Sequence, residues 1–173
     1  SRKVNFKNPV FSLYGELDDP FIPQNEVRYN NFLPMWQSIM NFVAYNEDKT
    51  HSKNIKIGFL SGYHNNRNFK KSNINRSKLS RERKSLALCQ NDFDKFPNQR
   101  MDYLFAHDTP YGLMGESFGS HQIKVLSSKA NIAFYGHYHD YMELLGAIIV
   151  GSFSEGYWIL DLYSNNLEHL EAI

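Results

Sequence analysis

The sequence predicts an α/β domain built on a mixed β-sheet. Strand-like apolar runs alternate with stretches of helical spacing through most of the chain, and the last part is a closely spaced run of strands. The chain is also long enough, at 173 residues with 42% apolar content, for one domain with a real core. One domain over residues 1–173 is therefore expected, with no internal repeat and no linker.

The elements follow in order. Pro9 to Tyr14 reads as a strand that ends at Gly15-Glu16-Leu17-Asp18-Asp19-Pro20, where Asp, Gly and Pro mark a loop. Phe32 to Tyr45 places Leu33, Trp36, Ile39, Met40 and Val43 at helical spacing, with Pro34 in the first turn, and predicts a helix. Ile55 to Ser61 is the next strand and enters the loop Gly62 to Asn66. A Lys-, Arg-, Ser- and Asn-rich stretch follows, and Leu79 to Phe93 reads as helical. Met101 to Ala106 is a strand that stops at His107-Asp108-Thr109-Pro110. Ser120 to Ala130 predicts a helix with Ser120 as its N-cap. The apolar run Ile132 to Tyr135 is a buried strand feeding into Gly136-His137-Tyr138-His139-Asp140. Ala147 to Gly151 and Tyr157 to Leu162 read as a closing pair of strands, and Leu167 to Ile173 as the last one.

Charge and cysteine usage narrow the setting. Net charge is +1, which by itself argues neither for nor against nucleic acid. Cys89 is the only cysteine, so no intramolecular disulfide forms, and a reducing, intracellular compartment (cytoplasmic or nuclear) is expected. No apolar run approaches the ~20 residues that span a bilayer, and the chain opens polar and basic rather than as a signal peptide.

The histidines carry the chemistry. Residues two apart on extended backbone project to the same side, so His137 and His139 share one side of a strand end. Two imidazoles placed so serve one metal or two neighbouring metals. His107 stands at the end of another strand in the same way. Asp108 and Asp140 follow histidines, and either orient an imidazole from behind or are solvated loop carboxylates. Glu16, with Asp18 and Asp19, is either part of a metal site or part of a solvated turn. His64 follows Ser61-Gly62 and either faces the site or is an ordinary loop histidine. From Arg67 to Lys84 the chain carries eight cations, Arg76, Arg81 and Arg83 among them, and one acid, Glu82. Such a stretch either attracts phosphates and nucleic acid by charge or is a solvated loop.

Four features of the second half, in order, resemble the calcineurin-like metallophosphoesterases. They are Leu104-Phe105-Ala106-His107-Asp108-Thr109-Pro110, then Gly119-Ser120 opening a helix, then Gly136-His137-Tyr138-His139. The last is Val150-Gly151-Ser152-Phe153 running into Gly156 to Leu162. The resemblance implies a sandwich of two mixed sheets with flanking helices and a site at the strand ends that usually holds two metals. His107 and His137 would bind one metal and His139 the other, with Glu16 as a further ligand and Mn, Fe or Zn as the ion. It implies a phosphate-containing substrate and, if the site is complete, a hydrolase. A narrower similarity is to the RNA lariat debranching enzymes and related archaeal phosphoesterases. It lies in Ile57-Gly58-Phe59-Leu60-Ser61-Gly62, the basic stretch after it, and then His-Asp-x-Pro. By its charge the basic stretch would steer RNA or another nucleic acid toward the site, with His64, Arg67, Arg76, Arg81 and Arg83 as the expected substrate contacts.

The chain also departs from the family. The Asp-x-His and Gly-Asp motifs of the family's first strands do not occur ahead of Pro9. The third motif aligns with Gly15-Glu16-Leu17-Asp18, which puts Glu16 in place of a metal-binding asparagine and Leu17 in place of a phosphate-facing histidine. The resemblance then implies that a missing N-terminal segment or a partner chain completes the site. The alternative is a catalytically inactive family member serving as a binding or scaffold module.

Overall fold

The computed structural model describes residues 4–13, 29–35, 37–65, 69, 87–96, 98–115, 118–138, 140–144, 146–152, 154 and 156–171. Ten strands and two short helices are described among these residues: β1 (Val4–Leu13), β2 (Tyr29–Met35), β3 (Gln37–Tyr45), β4 (Ser52–Leu60), α1 (Gln90–Phe93), β5 (Met101–Ala106), α2 (His121–Ser127), β6 (Ala130–Tyr135), β7 (Tyr141–Leu144), β8 (Ala147–Val150), β9 (Gly156–Leu160) and β10 (Leu167–Glu171). The fold is mixed α/β, as the alternation of elements predicts.

Six strands form the central sheet in the order β3-β4-β5-β6-β8-β7. Its middle is parallel, β4 to β5 to β6 to β8, and both edge strands, β3 and β7, are antiparallel to their neighbours. Parallel neighbours require a crossover, and α2 lies on the one joining β5 to β6. Because successive side chains point to opposite faces, each middle strand feeds two separate cores. On one face Leu60, Leu104, Ala106, Ala133, Tyr135 and Ile149 pack with Ile123 and Leu126 of α2 and with Leu88 and Phe96. On the other face Ile55, Ile57, Phe59, Tyr103, Phe134 and Ile148 form a second cluster, against which Phe11 of β1, Met35 of β2, and Trp158, Leu160 and Leu167 of β9 and β10 pack. A sheet buried on both faces explains why its strands read as unbroken apolar runs.

Among the described residues the second layer is not one sheet. It is made of two strand pairs, β1–β2 parallel and β10–β9 antiparallel. A cleft of about 940 Å³, open to solvent, lies beside this layer. Its floor comes from the central sheet (Ile57, Phe59, Phe105, Phe134, Val150), and its walls from Phe11 and Leu13 on one side and Leu160 and Leu162 on the other. It extends to Ala106, His107 and Gly136 at the strand ends.

Three expectations are corrected. The described residues of Phe32 to Tyr45 are not a helix: they are the end of β2 and all of β3. Met40, Phe42 and Ala44 alternate toward the second core while β3 pairs with β4 along its whole length. That pairing overrides the helical spacing, and Ile39, Phe42, Val43 and Tyr45 suit a strand. Pro34 is accommodated because, among the described residues, β2 has a single sheet neighbour. In Leu79 to Phe93, residues 79–86 lie outside the described residues, and only Gln90–Phe93 is helical. The closing strands do not pair with each other. Ala147–Val150 sits in the central sheet between β6 and β7, whereas Gly156–Leu160 pairs with β10 in the opposite layer. The turn from β7 into β8 passes through Gly146 at φ 74°, a left-handed conformation that glycine adopts without steric cost.

Candidate functional site

The ladder hydrogen bonds of the parallel strands continue one residue past β5 and β6. His107 N donates to Leu60 O (3.1 Å), and Gly136 N donates to Ala106 O (3.0 Å). This extension brings the two chain ends out of the sheet side by side, with His107 next to His137. His107 Nε2 and His137 Nδ1 stand 3.3 Å apart, and the rings meet edge to face at 5.2 Å. Both side chains are half-buried.

The backbone under His137 is unusual. Its φ is 65°, and Tyr138 N donates to Gly136 O at 2.7 Å. An i→i+2 bond around a residue of positive φ is the rarer, strained form of the γ-turn. For a non-glycine residue this costs on the order of 1 kcal/mol. The turn reverses the chain directly after β6 and holds the His137 imidazole against His107. Gly136 itself runs close beside His107, whose Nδ1 would lie 3.5 Å from a Cβ placed there.

Asp108 has a different role from orienting an imidazole. It is buried, and its oxygens accept from the backbone N–H of His64 (2.6 Å) and of Thr109 (2.8 Å). It therefore fastens the loop after β4 to the end of β5. The loop is tied further by Leu88 N donating to Tyr63 O (2.8 Å), by Gln37 Nε2 donating to Ser61 O (3.0 Å), and by Ser61 Oγ donating to Met35 O. His64 thus borders the site through its backbone, while its ring lies 5.6 Å from that of Phe69. Asp140 is exposed. Glu16, Arg67, Arg76, Arg81, Arg83 and His139 lie outside the described residues.

The Asp108 clamp and the γ-turn at His137 were not read from the sequence. The first has a signal, since aspartate in a turn hydrogen-bonds nearby backbone N–H groups. The second has only a weak one, since histidine is enriched at positive φ but seldom found there.

The pair can do two things chemically. Without a metal, one imidazole donates a hydrogen bond to the other. With a metal, both nitrogens are ligands. Zn–N bonds of about 2.0–2.1 Å at a tetrahedral angle put two ligand nitrogens about 3.3 Å apart, which is the separation found. Metal binding at these two atoms leaves the proton on Nδ1 of His107 and Nε2 of His137. The pair therefore fits a divalent ion as two of its ligands. Among the described residues no group of three or more His, Cys, Asp or Glu converges on one point.

The residues described so far define a mixed α/β sandwich with a histidine pair at the ends of two adjacent parallel strands. No family model matches the chain, and none of the curated proteins matches it. Among solved structures, the crystal structure of TT1561 from Thermus thermophilus is similar at a TM-score of 0.43 and 16% identity, over 75% of this chain and 56% of that one. The chain thus spans little more than half the length of that structure. No helix of the described residues is long and apolar enough to cross a membrane.

Proposed function

We propose that this chain is part of a metal-dependent phosphoesterase of the calcineurin-like class. It acts on or binds phosphodiester, nucleotide or RNA substrates through a site of which the chain supplies a portion. The observation that carries this reading is the approach of His107 Nε2 and His137 Nδ1 to 3.3 Å at the tips of β5 and β6. His107 and His137 would share one divalent ion (Mn, Fe or Zn), and His139 and Glu16 are the candidates for further ligands. The ion, when bound, supplies Lewis acidity toward a phosphoryl oxygen. The protein's own part is positional: β5 and β6 fix the two imidazoles, and Asp108 holds the loop carrying His64 beside them. The strain under His137 supports the same reading, because such strain is concentrated at functional sites.

The test is turnover of bis-p-nitrophenyl phosphate by the purified chain with added Mn or Zn, compared with His137→Ala. Slow, metal-dependent turnover that His137→Ala removes is the expected result, since three histidines and a carboxylate make a sparse two-metal site. Turnover unaffected by the substitution would overturn the assignment.

The RNA component of the reading rests on the basic stretch from Arg67 to Lys84. Replacing Arg76, Arg81 and Arg83 together by Ala should weaken binding of single-stranded RNA at all sequences and flatten its salt dependence by a slope of about 2–3. An unchanged slope would leave a nucleotide or other small phosphodiester as the substrate.

A further inference from the structure

A non-glycine residue keeps a left-handed backbone only where its surroundings fix both ends, and His137 is such a residue. The near end is fixed by the sheet, where Gly136 N donates to Ala106 O at 3.0 Å. The far end is Tyr138. Its N–H closes the turn on Gly136 O at 2.7 Å. Its side chain packs against the core on the α2 face of the sheet, as does Met142 of β7. This leaves His137 alone to make the reversal between a ladder hydrogen bond and a packed aromatic ring. Burying most of a tyrosine ring contributes more than one strained residue costs. The same ring stands edge to face with the His137 imidazole, centroids 5.1 Å apart at 60°. His137 is thus flanked by Tyr138 and by His107, whose ring lies at 5.2 Å and 65°.

We infer that Tyr138 is a positioning residue that acts through His137. Its packed ring keeps the turn closed and so sets the His137 imidazole opposite His107 in the metal-free chain. This role rests on the reading of the two histidines as metal ligands, and it adds how their separation is held. The pair meets an ion with its nitrogens already 3.3 Å apart, so little ordering is left to be done on binding. Without the packed ring, His137 relaxes to the ordinary backbone region of a non-glycine residue and carries its imidazole away from His107.

The test compares Tyr138→Phe, which keeps the packed ring, with Tyr138→Ala, which removes it. Met142→Ala is the control for loosening the same core. Two readouts are taken on the metal-free chain: hydrogen exchange of the amide of residue 138, and the nuclear Overhauser contact between the ring protons of His107 and His137. The third is Zn affinity by calorimetry. In Tyr138→Ala the expected result is amide exchange at least about tenfold faster, loss of the ring contact, and Zn binding weakened at least about tenfold. Tyr138→Phe and Met142→Ala should match the wild type in all three readouts. Should Tyr138→Ala not fold, Tyr138→Leu keeps an apolar side chain without the aromatic edge, and it should still lose the ring contact. An intact ring contact in the variant that folds, an equal loss in Tyr138→Phe or Met142→Ala, or unchanged Zn affinity where the wild type binds Zn would overturn the assignment. A wild type that binds no Zn would sink the metal reading alone, since exchange and the ring contact are read without metal.

Discussion

The two faces of the central sheet are built from the same strands and differ in how they are closed. On the face covered by α1 and α2, Leu60, Leu88, Leu104 and Ile123 are fully buried. Tyr135 hydrogen-bonds across to Ser127 of α2 at 2.5 Å, and α2 is capped by Ser120, whose Oγ accepts from Ile123 N. On the other face, Phe11, Leu13 and Leu160 are only half-buried and the cleft lies between them. The helix-covered core is therefore the more completely closed of the two, while the strand-covered face leaves space beside the histidine pair.

The sharpest way to break this comparison is a matched substitution on each face. Leu104→Ala should cost about 3–4 kcal/mol, because a fully buried leucine leaves a void that its close-packed neighbours fill poorly. Leu160→Ala, in the cleft wall, should cost about 1 kcal/mol or less, since much of its contact is already missing. Denaturant melts of the two variants check this, and equal losses would mean that the two faces are packed alike.

A second test uses pH. Burial pushes the Tyr135 hydroxyl up from its ordinary value of 10.0 to about 12. The folded state thus favours the neutral phenol, so this contribution is complete below pH 10 and is lost as pH rises from 10 toward 12. It amounts to about 2–3 kcal/mol. Tyr135→Phe should flatten the alkaline fall in stability. Burial raises Tyr103 in the same direction, with Asp102 and Asp161 adding to it, and Tyr141 is raised too, so a smaller slope remains in the Tyr135 variant. An alkaline profile identical to the wild type would show that the helix-covered face is looser than described.

What the sequence revealed follows the same division. β5 and β6 were legible because strands buried on both faces are uniformly apolar and stop abruptly at polar loops, which also exposed His107 and His137. The Ser120 cap was legible because its chemistry is local. The segment that becomes β2 and β3 was not, because its apolar residues satisfy helical spacing, and pairing with β4 decides the outcome. β7 was missed because Tyr141, Glu143 and Leu144 are exposed and leave no buried periodicity. The partners of β8 and β9 were misjudged because neighbours in sequence fall in opposite layers. The 3.3 Å approach of the two imidazoles depends on strand order and on a strained turn, and neither is written in the residues themselves.

The central claim is that His107 and His137 together hold a divalent metal ion, and calorimetric titration of the metal-free chain with Zn or Mn at a pH of about 7.5, above the ordinary imidazole range, tests it most directly. The best comparison is His137→Gly, which removes the imidazole while relieving the left-handed backbone. The account predicts saturable uptake by the wild type, weakened at least about tenfold in His137→Gly and in His107→Ala and lost as acid protonates the imidazoles. Uptake of the same affinity in all three proteins would contradict it.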